Sequence, residues 1–210
     1  MSYILHIDTS GKTGKLFLAK DATIIAHRTN SNERDHAATI NVYIREILKE
    51  AAIKTSDLDA VAAIGGPGSY TGLRIGLATA KGLCYALNIP LFLHNKLDQM
   101  AMQAWKRYAK TYEGYIALLP AREGEYFITA YDKEGMNIFP ARHIDEKELN
   151  PYINANKNFL IVDERLGDID EKMWAELTLK DFNSGHTADL AHTVPFYLKE
   201  VYTTTTPKHI

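Results

Sequence analysis

One cysteine in 210 residues, Cys84, excludes an internal disulfide and any zinc site built on cysteines; a reducing cytoplasm is the simplest home for such a chain. Charge of one sign is also lacking. The net charge is −2, so contact with nucleic acid must come from a local patch or a partner's surface. Long hydrophobic runs are missing as well: Asp8 interrupts the first apolar run, and the expectation is a chain without leader peptide or membrane span. Two phosphate-loop spacings are absent too. In "AIGGPGSYTGLRIGLATAKGL" no lysine follows Gly72, as G-x-x-x-x-G-K-[ST] requires, and Thr71 stands where G-x-G-x-x-G needs its third glycine. Ser69 in "GPGSYTG" is separated from the next glycine by two residues, so G-x-S-x-G is not met either.

What remains is an ordinary globular composition, 46% apolar and 24% charged, sufficient for a substantial core. "YILHIDTS", "KLFLAK" and "TIIAHRTN" alternate as short strands separated by "GKTG" and "DA" turns, an antiparallel meander. In "AATINVYIREILKEAAIK", Ile40, Ile44, Ile47, Leu48 and Ala51 recur at helical spacing opposite Arg45, Glu46, Lys49 and Glu50. "DLDAVAAIG" reads as a buried strand. The stretch after it is a helix with an apolar stripe of Leu73, Leu77, Ala80, Cys84 and Leu87, capped by Ser69 or Thr71. "PLFLHN" and "KLDQMAMQAWKRYAKT" follow as strand and helix.

The order β-β-β-α-β-α-β-α argues for an α/β fold with a mixed sheet covered by helices, as in the actin, sugar-kinase and Hsp70 superfamily. A boundary falls near Tyr112, giving a first lobe over residues 1–110 and a smaller second lobe over 111–210. In the second lobe "YIALLPA", "EYFITAYD" and "NFLIVDE" read as strands, "KMWAELTL" is too short to assign, and the threonine run is a tail. No internal repeat is visible.

Chemistry-bearing residues are few. Asp8, Thr9 and Ser10 end the first strand like a degenerate form of the D-x-G-[TS] hairpin of actin-like ATPases, whose carboxylate positions hydrated magnesium; Thr9 stands where close approach wants glycine. Plain turn capping is the alternative. His36 opens the first helix, but a helical metal pair needs a second histidine three or four residues on, and Thr39 and Ile40 stand there. Gly72, Gly76 and Ala80, four apart, leave one side of their helix almost bare. That side suits either tight packing on the chain's own sheet or a docking face. Gly76 and Gly82 each cost about 1 kcal/mol against alanine and so want a packing reason. Lys106, Arg107 and Lys110, interleaved with Trp105 and Tyr108, form a small basic patch: a solvated helix face or an RNA-backbone contact.

Four segments in order, "HIDTS", "DLDAVAAIGGPGSYTGLRIGLATAKGL", "AREGEYFITAYD" and "PFYLKE", resemble the TsaB (YeaZ) family along nearly the whole chain. The resemblance implies an actin-like ATPase fold (ribonuclease H-like) of two lobes with mixed sheets flanked by helices. It also implies a non-catalytic subunit that binds TsaD, with the ATPase TsaE joining. That complex transfers threonylcarbamoyl from threonylcarbamoyl-AMP to the adenosine beside the anticodon of tRNA.

On this resemblance the partner face comprises His36, Ile40, Ile44, Tyr70, Gly72, Leu73, Gly76 and Ala80. The isolated chain is expected to form a homodimer through it and to reach tRNA through the complex. It is also expected to carry no metal or cofactor of its own, with ATP or ADP at the subunit junction. TsaD-like proteins hold metal with two histidines four apart, and here Ile40 replaces the second. Two departures stand out: Pro120 takes the place of the family's aspartate, and only "TADLAHTV" precedes "PFYLKE" where relatives carry a long helix. An actin-fold ATPase or small-molecule kinase using Asp8 is the competing reading.

Overall fold

The computed structural model describes residues 1–32, 35–108, 111–166 and 168–198. The expected Lys110, the end of "PFYLKE" and the threonine run lie outside them. The meander forms as read: β1 (Tyr3–Asp8), β2 (Gly14–Lys20) and β3 (Thr23–Asn30), antiparallel with Ile7 opposite Leu16. Helix α1 (His36–Glu50) then crosses to β4 (Ala60–Gly66), which lies parallel to β1. Helix α2 (Tyr70–Leu87) returns to β5 (Leu91–Asn95), giving a five-stranded sheet in the order β3-β2-β1-β4-β5. The period-2 alternation of β1 puts Leu5 and Ile7 under α1 and α2, and Ile4 and His6 on the opposite face.

Helix α3 (Lys96–Arg107) leaves the first sheet and lays Leu97, Met100, Ala101 and Ala104 against a second one. That sheet contains β6 (Gly114–Arg122), β7 (Glu125–Asp132), β8 (Asn137–Asp145) and β9 (Phe159–Val162) in the order β8-β7-β6-β9. Its antiparallel triplet with a parallel fourth strand repeats the order of β3-β2-β1-β4, so the backbone carries a duplication that the side chains do not. Helix α4 (Glu146–Ala155) covers the far face of this sheet through Leu149.

Three elements escape the sequence reading. β8 is an edge strand with Pro140 and mostly exposed side chains, so it lacks a buried alternation. Helix α4 contains Pro151. Helix α5 (Glu171–Ser184) extends well beyond "KMWAELTL", started by the Asp170 side chain accepting from the Met173 N–H and ended by Gly185 at φ 72°. Between Gly185 and Pro195 no helix forms, as the short "TADLAHTV" segment implied.

α5 does not stay with the second sheet. It packs Trp174 and Ala175 onto Ile4, Phe17 and Phe92 of the first, and truncating a side chain buried as fully as Trp174 costs about 3–5 kcal/mol. The segment beyond it follows: the Ala188 N–H donates to Leu91 O at 2.8 Å and the Phe196 N–H to Gly65 O at 2.7 Å. Each sheet is therefore covered by a helix that chain order would assign to the other. Among the described residues no helix is long and apolar enough to cross a membrane.

Candidate functional site

The C-terminal end of β1 is where α3, which packs on the second sheet, meets the glycine-rich turn. Asp8 is buried, and its Oδ1 accepts from the Ser10 N–H at 2.8 Å and the Ser10 hydroxyl at 2.6 Å, closing the turn locally. The α2 entry lies directly on this turn. Ser10 O accepts the Ser69 N–H at 2.7 Å, and the Thr9 hydroxyl donates to Gly72 O at 2.7 Å. A Cβ on Gly68 would fall 2.2 Å from Ser10 O, one on Gly72 2.0 Å from Thr9 O, and one on Gly76 2.3 Å from Thr9 Oγ1. These glycines exist so that a helix can sit on a strand end at backbone distance. At the start of α2, Ser69 caps the helix by accepting from the Gly72 N–H, and the Leu73 N–H bonds to Ser69 O. The turn is thus packed on the end of β1 through Ser69, Gly68, Gly72 and Gly76.

Across the cleft, Lys96 at the first position of α3 reaches into the same turn. Its ammonium lies 3.1 Å from Ser10 Oγ, 3.5 Å from Asp8 Oδ2 and 3.4 Å from Asp168 Oδ1, and Lys15 holds the other oxygen of Asp168 at 3.2 Å. Burial opposes the charge on Lys96, but Asp8 and Asp168 outweigh it and hold the ammonium above its ordinary pKa. Burial likewise pushes Asp168 up, and Lys96, the Ile169 N–H and Lys15 overcome it and leave the carboxyl below its ordinary value. A lysine ammonium of the chain thus lies beside the carboxylate that ends β1. The space left, about 240 Å³ beside Gly11, Lys12 and Leu119, is below the roughly 300–1,000 Å³ of small-molecule sites.

The residues at the start of α1 do not fit a metal. His36 is buried with both ring nitrogens engaged: Nε2 faces Gly11 O at 3.2 Å and Nδ1 faces Asn30 Nδ2 at 3.4 Å. Ile40, one turn on, is in the core. Among the described residues, no group of three or more metal-ligating side chains converges anywhere.

Of the expected partner-face residues, His36, Ile40, Ile44, Gly72, Leu73, Gly76 and Ala80 are buried within the chain, and Tyr70 is 38% exposed. The surface beside them carries a different α2 stripe, Thr71, Arg74, Ala78, Gly82 and Tyr85, all exposed, with Tyr85 at 82%. Arg74 stacks on Tyr70 at 4.1 Å and donates from Nε to the Tyr197 hydroxyl at 2.9 Å. A Cβ on Gly82 would meet nothing within 4 Å, so no packing among the described residues explains that glycine. Lys96 and Asp168 were missed from sequence. One signal was legible: a lysine at the first position of a helix opposes the dipole unless acids compensate it.

The family model described as TsaD, tRNA N6-adenosine threonylcarbamoyltransferase, matches residues 23–146. The chain is 32% identical over 145 residues to the Escherichia coli (strain K12) tRNA threonylcarbamoyladenosine biosynthesis protein TsaB, covering 69% of this chain and 60% of that one. It is 30% identical over 135 residues to the Bacillus subtilis (strain 168) protein of the same description, covering 63% and 57%. The chain thus spans about three fifths of these relatives' length. In fold it matches a Pseudomonas aeruginosa protein described as similar to the peptidase YeaZ, with TM-score 0.76, 22% identity and coverage of 95% and 100%.

Proposed function

The chain belongs to the family of TsaD, the tRNA N6-adenosine threonylcarbamoyltransferase, and resembles its TsaB (YeaZ) relatives; from that premise we propose that it is an assembly subunit without turnover of its own. It binds TsaD, and with it TsaE, in the complex that transfers threonylcarbamoyl to tRNA adenosine. One observation carries the reading: Lys96, Asp8, Ser10 and Asp168 satisfy one another where an actin-like ATPase would hold magnesium and phosphate. An ion or phosphate entering there must first displace a buried ammonium from its carboxylates, and breaking such a pair costs about 3–5 kcal/mol. Any ATP or ADP of the assembly then sits at the subunit junction, and tRNA is reached through the complex.

The partner face on this reading is the exposed α2 stripe with Tyr70, rather than the buried residues behind it. Ala78 and Gly82 allow close helix approach, and Tyr85 and Arg74 are the residue types that anchor interfaces. The same face makes the homodimer of the isolated chain, so TsaD dissolves that dimer. The test is size-exclusion chromatography with light scattering on the chain mixed with the TsaD of its organism, for wild type and Tyr85→Glu. The expected result is a heterodimer that Tyr85→Glu abolishes while circular dichroism stays unchanged. Failure to form a complex, together with Asp8-dependent ATP hydrolysis by the isolated chain, would replace this reading with an actin-fold ATPase or kinase.

A further inference from the structure

On the other side of α3 from Lys96, a groove of about 550 Å³ opens between α3 and α5. Its volume falls within the ordinary range of small-molecule sites. Met102, Met173, Leu177 and Phe196 supply apolar walls.

The polar groups are unusual. Gln99 is only 5% exposed, lines the groove, and its amide has no hydrogen-bond partner among the described residues. Gln103, one turn on, is by contrast paired with Asp170 through both ends of its amide, at 2.9 and 3.4 Å. Asp98 also lines the groove, its carboxyl raised above its ordinary pKa by burial although Tyr131 and Thr129 hydrogen-bond it. At the rim stand Lys106 and Lys180, neither in an ion pair among the described residues, against the single carboxylate of Glu176.

We propose that this groove is a nucleotide site, holding an adenine-type base against its apolar walls with the phosphate toward Lys106 and Lys180. An aliphatic ligand would leave the Gln99 amide unsatisfied in apolar surroundings. A glutamine amide matches adenine as donor and acceptor at once, and a carboxylate beside it accepts from an exocyclic amine. Methionine and aromatic surfaces suit the flat face of a base, and two unpaired ammonium groups suit its phosphate. Lys106 belongs to the basic patch of the third helix, which this reading turns from a solvated face into the rim of a site. The site stands on its own geometry and is independent of TsaD binding. It accommodates one nucleotide, free or within single-stranded RNA.

The test is NMR titration of the Met102 and Met173 methyl groups in the isolated full chain, with AMP, adenosine and a single-stranded oligoadenylate as probes. The expected result is a saturable shift of both methyls with AMP at millimolar concentration or below, weaker with adenosine. Gln99→Leu should weaken the affinity about tenfold, the equivalent of one hydrogen bond. Lys180→Glu, an exposed change that leaves the fold intact, should weaken AMP and remove its advantage over adenosine. Tighter binding of the oligonucleotide, with a salt dependence that Lys180→Glu reduces, assigns the site to RNA; binding of AMP alone assigns it to a free nucleotide. If none of the three probes shifts the methyls, or if binding is indifferent to both substitutions, the proposal is wrong.

Discussion

His6 makes the stability of this protein depend on mild acid, and the size of the effect follows from its surroundings. The ring is fully buried, stacked on Phe17 with centroids 4.2 Å apart and edge-on to Trp174 at 5.0 Å. Nδ1 donates to Ile4 O at 3.1 Å and Nε2 faces Thr178 Oγ1 at 3.2 Å, with no ion pair to a carboxylate among the described residues. Burial first, and His94 second, lower its pKa to about 3 from an ordinary 6.5. The unfolded chain therefore binds a proton between these values that the native chain refuses. Stability contributed by the neutral ring is complete above pH 6.5 and falls as the pH drops from 6.5 toward 3.

At 1.36 kcal/mol per pH unit the loss is about 2 kcal/mol at pH 5 and about 5 kcal/mol by pH 3. With a urea slope of about 2 kcal/mol/M, the unfolding midpoint should fall by about 1 M between pH 7 and pH 5. Carboxylates contribute to the same slope, so the informative quantity is the difference between wild type and His6→Gln, which is less stable at pH 7 but loses less on acidification. Parallel losses in the two proteins between pH 7 and pH 5, or a His6 resonance that titrates above pH 5, would refute the argument.

Three further outcomes follow from the same structure. Gly76→Ala places a methyl 2.3 Å from Thr9 Oγ1 and should cost about 1–3 kcal/mol or more, whereas Gly82→Ala, with open space around it, should stabilise the isolated chain by about 0.5–1 kcal/mol; thermal unfolding of both variants checks the contrast. Lys96→Met leaves the Asp8 carboxylate buried and without its ammonium, and should cost about 3–5 kcal/mol at pH 7 by urea denaturation; an unchanged midpoint would mean the pair does not hold the lobes together. Because Arg74 joins α2 to Tyr197, Arg74→Ala should increase amide exchange around Tyr197 without shifting the global unfolding midpoint by more than about 1 kcal/mol.

Local periodicity and turn chemistry made the first lobe legible. The meander, the two amphipathic helices and the buried run Ala60–Gly66 need only alternation, helical spacing and glycine punctuation, and each is set by residues close in sequence. The absence of a helical histidine pair was equally local, since Thr39 and Ile40 occupy the two positions that could complete it. β8 and α4 were illegible because an exposed edge strand and a proline-containing helix carry no strong periodic signal.

Tertiary structure alone decided the rest. Whether the bare side of α2 packed inward or faced a partner was undetermined until Gly72 and Gly76 met Thr9, at the end of a strand more than sixty residues earlier. Lys96 and Asp168 came to Asp8 from separate elements, and no spacing rule connects them. Trp174 returned to the first sheet because that sheet's second face would otherwise lie bare to water. Patterns within one element are written in residue order; the charge pairs and covered faces that give this protein its site depend on distances between elements, which exist only once the chain has folded.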